Sequence, residues 1–142
     1  MNKEQFSQDY KKFQVKIHKF VVEQNFADKV KQYTEYFDQM ASLSPDDLKE
    51  FIQKSPTFLK ARNQSMELME RIVATHLGLE EIFKMDEETL GKTYNYDLNK
   101  VDEKIAKDLK ESANMIYQFN IVSERGRKEV EKINNPFINQ AL

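Results

Sequence analysis

The sequence has no cysteine and no tryptophan, and only three glycines, three prolines and two histidines. Without cysteine there is no disulfide, no thiolate nucleophile and no Cys-ligated metal, which fits a reducing compartment. With so little glycine and proline, tight turns and irregular loops must be few. The glycines, at 78, 91 and 126, stand apart, so neither a Walker loop nor a Rossmann fingerprint exists. Three residues before His18 and His76 stand Val15 and Val73, which removes the Glu-x-x-His motif of di-iron bundles; His-Glu-x-x-His is missing too. No G-x-S-x-G elbow marks a serine nucleophile. These gaps predict no catalytic residues, no cofactor and no metal site.

Long apolar runs are also missing. No stretch approaches 18 uninterrupted apolar residues, so no helix is expected to span a membrane. The opening MNKEQFSQDYKK holds no apolar signal-peptide core, so a cytoplasmic chain is expected. Nor is there an excess of one charge. The net charge is −2, with +1 in residues 1–42, −3 in 43–96 and zero in 97–142. That balance predicts no electrostatic attraction to nucleic acid or acidic membranes. Arg125, Arg127, Lys128 and Lys132 in SERGRKEVEK are interleaved with Glu124, Glu129 and Glu131. They read as a self-paired solvated face, with Glu124–Lys128 at i,i+4.

What is present is amphipathic. The chain is 32% charged and 39% hydrophobic, a mixture suited to helices with one wet and one buried face. Phe6, Tyr10, Phe13, Ile17 and Phe20 recur every three or four residues, and Phe26, Val30, Tyr33, Phe37 and Met40 repeat the rhythm. The step from Phe20 to Phe26 is one short of a heptad. One long, slightly bent helix over about residues 3–41 is favoured, with a break near Asn25 as the alternative. Ser44-Pro45 and Ser55-Pro56 each place an N-cap before a proline at the first helical position. They predict a short second helix, with Leu48, Phe51 and Ile52 on its apolar face, and a third helix over about 56–77.

In that third helix Leu59, Met66, Met69, Val73 and Leu77 form one side, widened by Leu68 and Ile72. Gly78 reads as its C-terminal stop and His76 as a residue of the last turn, where the helix dipole favours an imidazolium. LEEIFKM follows as a short segment. DEETLGKTYNYD, with Tyr94 and Tyr96, is the most loop-like stretch, and a short helix around Glu87–Leu90 fits within it. Asp97 reads as the N-cap of the longest pattern, Leu98, Val101, Ile105, Leu109, Ser112, Ile116 and Phe119, carried on by Val122, Gly126, Val130, Ile133 and Phe137. Pro136 ends it. Gly126, mid-helix on that stripe, predicts close backbone approach or a bend.

No strand pattern occurs. The reading is therefore all-α: a single domain over 1–142, an elongated up-down helical bundle with two long terminal helices and shorter middle helices. A helix of about 38 residues is roughly 57 Å long, and the middle helices cannot cover it. The uncovered apolar strip predicts self-association or a protein partner. The aromatic stripe has two destinations, the chain's own core or an interface. On the interface reading the contact residues are Phe6, Tyr10, Phe13, Tyr33, Tyr36 and Phe37, joined by Tyr94 and Tyr96.

KSPTFLKARNQSMELMERI, residues 54–72, resembles segments of phasins and of polyester-synthase accessory subunits, which share amphipathic helices and a Ser-Pro-x-Phe-Leu-x-Ala pattern. The resemblance covers about 20 residues and implies a coat on a granule or lipid surface. The leading functional expectation is a non-enzymatic interaction module: an adaptor, accessory subunit or inhibitor. The phasin-like coat is the alternative, and a small enzyme or ligand-binding bundle stands third.

Overall fold

The structure is a computed structural model that describes residues 3–41, 46, 49–50, 53 and 55–134. Among these residues the chain is all-α, with five helices and no strand: α1 (Lys3–Gln24), α2 (Phe26–Ala41), α3 (Pro56–Lys84), α4 (Glu87–Thr93) and α5 (Leu98–Asn134). The start at Ser44-Pro45, the face of Leu48, Phe51 and Ile52, and the stop at Pro136 lie outside the described residues.

Several helix ends fall where their local signals put them. Ser55 accepts a hydrogen bond from the Phe58 N–H at 3.1 Å, and Pro56 opens α3 behind it. Asp86 caps α4 by accepting from the Thr89 N–H at 2.7 Å. Asp97 caps α5 by accepting from the Asn99 N–H at 3.0 Å. At 37 residues, α5 has the expected length.

Two expectations are corrected. The N-terminal helix is not continuous: Asn25 has φ 52°, a left-handed conformation that asparagine tolerates better than most side chains. Its N–H still bonds to the Val21 carbonyl at 2.9 Å, so Asn25 closes α1 while turning the chain into α2. The short step from Phe20 to Phe26 marks this break, and the two rings lie 6.1 Å apart across it. Gly78 does not end α3, which runs on to Lys84. Its φ is not positive, so it acts as a helical residue and not as a cap.

The chain divides into two compact units. The first comprises Met1–Gln32 and Val73–Ser112. Its core is built from Phe6, Tyr10, Phe13 and Ile17 of α1 and Phe26 of α2, packed with Leu79, Ile82, Leu90, Val101 and Ile105. Burying each large apolar side chain here contributes about 1.5–3 kcal/mol. Gly91 is buried under the Tyr96 ring; a Cβ at this position would stand 2.4 Å from Tyr96 Cε1 and 3.3 Å from Phe6 Cε1. The chain holds that ring in place with two successive left-handed residues, Asn95 at φ 55° and Tyr96 at φ 57°.

The second unit comprises Tyr33–Ile72 and Ala113–Leu142. Leu68, Ile72 and Met115 form its buried cluster, with Tyr33, Ile116, Phe119 and Val122 packed on it. Small residues let α3 and α5 approach closely here. A Cβ on Gly126 would meet the Ala61 Cβ at 3.4 Å, and Ser65 Oγ lies 3.3 Å from Ser123 Oγ. Gly126 thus serves close approach within an unbroken helix. The buried Ser55 hydroxyl donates to Glu129 at 3.1 Å and ties the start of α3 to α5.

Of the face expected for α3, Leu68, Met69 and Ile72 are buried, while Leu77 is 45% exposed; Ala61, Ser65, His76 and Leu79 are buried as well, beyond the expected side.

Candidate interaction surfaces

The stripe that opens the chain goes to the core. Phe6, Tyr10 and Phe13 are buried within the first unit, their rings following one another at 6.2 and 6.4 Å. The Tyr10 hydroxyl donates to the Met85 carbonyl at 2.9 Å and accepts from Gln14 Nε2 at 3.0 Å. Tyr94 and Tyr96 are half-buried against the same core, Tyr96 edge-on to Phe6 at 5.5 Å with the Lys3 ammonium 5.0 Å over its ring. Tyr33 packs on the second unit's cluster, and burial pushes its phenol above the ordinary range. Tyr36 stands edge-on to Phe119 at 5.2 Å, and Phe37 is half-buried. The eight sequence-derived positions thus divide between the two units, three of them filling a core.

The free apolar surface lies elsewhere. On α5, Tyr117 is 66% exposed and Ile121, one turn on, is 44% exposed. Ile121 edges a groove of about 370 Å³ between α3 and α5, lined by Leu68, Val122, Gln64, Gln118, Glu67, Arg71 and Arg125. Its lining combines apolar side chains with charges of both signs. Beside Arg125, Arg127 bonds both Glu124 and Glu131. The pairing expected of Lys128 with Glu124 is made by Arg127 instead, three residues along the helix. Sequence reasoning missed Tyr117 and Ile121. The signal was their position, one residue off the Ile116–Phe119 stripe, where an amphipathic helix ordinarily carries polar groups.

A second exposed strip runs along α1. Val15 is 73% and Val22 66% exposed, one heptad apart, among the exposed Lys11, Lys12, His18 and Lys19. Lys19 pairs with Glu23 at 3.9 Å.

Among the described residues no group of three or more His, Asp or Glu is placed to hold a metal ion, and no helix is long and apolar enough to cross a membrane. No protein-family profile, no curated protein and no solved structure matches the chain.

Proposed function

We propose that this chain is a non-enzymatic helical interaction module that self-associates through the α3–α5 groove of its second unit. The observation that carries the reading is the exposure of Ile121, which lines the groove, with Tyr117 exposed one turn before it on α5. Two large apolar side chains one turn apart are a costly thing to leave in water, and aromatic residues anchor interfaces. The polar lining suits a second copy. It holds Arg71 and Arg125 together with Glu67, so a two-fold arrangement sets the cations of one copy against the acid of the other.

The test is sedimentation velocity across a concentration series. The wild-type chain is expected to sediment as a dimer, and Tyr117→Asp with Ile121→Asp as a monomer of unchanged helix content by circular dichroism. A wild-type chain that stays monomeric at every concentration sinks the self-association reading.

A second reading, a phasin-like coat on a granule or lipid surface, rests on the other strip. Exposed valines flanked by lysines are what a helix lying on an anionic surface would present. Flotation with acidic vesicles separates the two: Val15→Asp with Val22→Asp is expected to abolish flotation if α1 adsorbs, and a wild-type chain that never floats removes this reading.

A further inference from the structure

The first unit carries a cleft of about 390 Å³ beside the corner between α1 and α2. Residues from both sides of the Asn25 turn line it, Val21 before and Phe26 and Ala27 after, facing Phe83 near the end of α3. A straight helix through residue 25 would not present both sides of that corner to one space. The volume lies in the range of small-molecule sites, and apolar and aromatic lining is their usual character.

Most of the polar groups around this cleft are engaged with one another; the imidazole of His18, an exposed residue, also lines it. Tyr10 Oη gives its proton to the Met85 carbonyl and receives one from Gln14. Glu80 and Lys84 close on each other at 2.7 Å. A charged ligand entering here would leave water without gaining a committed counter-charge, an unfavourable exchange. An uncharged ligand loses little and gains contact with three phenyl rings.

We infer that this cleft is a binding site for a compact, uncharged apolar molecule, an aromatic ring system or a short hydrocarbon. The inference is independent of self-association, which involves the other unit.

The experiment titrates the full chain with N-phenyl-1-naphthylamine, an uncharged fluorophore, and with its anionic relative 1-anilinonaphthalene-8-sulfonate. The expected result is saturable one-to-one binding of the uncharged probe, on the order of tenfold tighter than the sulfonate, a difference of about 1.4 kcal/mol. Ala27→Trp fills the cleft from an exposed position and is expected to weaken binding by on the order of tenfold or more; if that variant loses its helix content, Gln14→Trp, also from an exposed position, replaces it. Ile121→Asp, in the second unit, is expected to leave binding unchanged. Failure to saturate, equal or tighter binding of the sulfonate, indifference to the filling variants, or loss on Ile121→Asp each overturns the inference.

Discussion

His76 Nε2 lies 2.6 Å from Ser112 Oγ, a buried hydrogen bond that joins α3 to α5 within the first unit. The Phe26 ring stands edge-on to the imidazole at 5.5 Å. Burial, and then the nearby Lys29 ammonium, hold this histidine below its ordinary value of 6.5. The folded imidazole therefore stays neutral at pH values where the unfolded one takes up a proton. Its contribution to stability is full above the unfolded value and is lost as pH falls through the folded one. Urea unfolding midpoints at about pH 7.5 and about pH 5.5 should drop more for the wild-type chain than for His76→Gln. Ser112→Ala, which removes this bond, should cost about 1 kcal/mol at neutral pH.

Two glycines should respond in opposite directions. A methyl group on Gly91 collides with the Tyr96 ring at 2.4 and 2.6 Å, so Gly91→Ala is expected to destabilise by about 1–3 kcal/mol. Thermal melts followed by circular dichroism measure it directly.

At Gly78 nothing lies within 4 Å of an added Cβ, and the backbone is helical. Gly78→Ala is expected to stabilise by about 0.5–1 kcal/mol, since alanine gives up less backbone freedom on entering a helix. A fall in melting temperature would mean that this position is needed for something other than helix.

The turn at Asn25 asks for a residue that accepts positive φ. Asn25→Gly should be close to neutral, while Asn25→Ala should lose about 1 kcal/mol. Chemical denaturation of both variants beside the wild type distinguishes a required turn from an incidental one.

Phe13 and Val15 stand two residues apart on α1 and test the two sides of the helix. Phe13→Ala should cost about 3–5 kcal/mol, because its ring fills the core. Val15→Ala, at a side chain 73% exposed, should change stability by less than about 0.5 kcal/mol.

How much of this was legible in the sequence depended on how far each signal had to reach. Ser55-Pro56, Asp97 and the Phe6–Ile17 stripe act through neighbours two to four residues away, and they hold. The break at Asn25 left a trace in the six-residue step to Phe26, but amphipathic periodicity alone could not choose a bend over a turn. Gly78 misled because a glycine without positive φ is merely a weak helix former. Leu68, Met69 and Ile72 were legible on the buried side of α3, and the rest of that line was missed for a longer-range reason. Ala61, Ser65 and His76 look neutral or polar in isolation, and they are buried because Gly126, Ser123 and Ser112 meet them from a helix far along the chain. The α3–α5 groove and the α1–α2 cleft depend on such pairings, so neither could be drawn from periodicity. Tyr117 and Ile121 were visible as letters, but their exposure depends on which face of α5 is covered.

The first unit draws its core from two separate stretches, Met1–Gln32 and Val73–Ser112, and this sets an order of events on the ribosome. The stripe from Phe6 to Ile17 is translated well before Leu79, Ile82, Val101 and Ile105, which cover it. At about 5–20 residues per second, that aromatic face waits on the order of 5–20 s for its counterpart. During synthesis the nascent chain therefore presents this aromatic stripe bare before the residues that cover it are made.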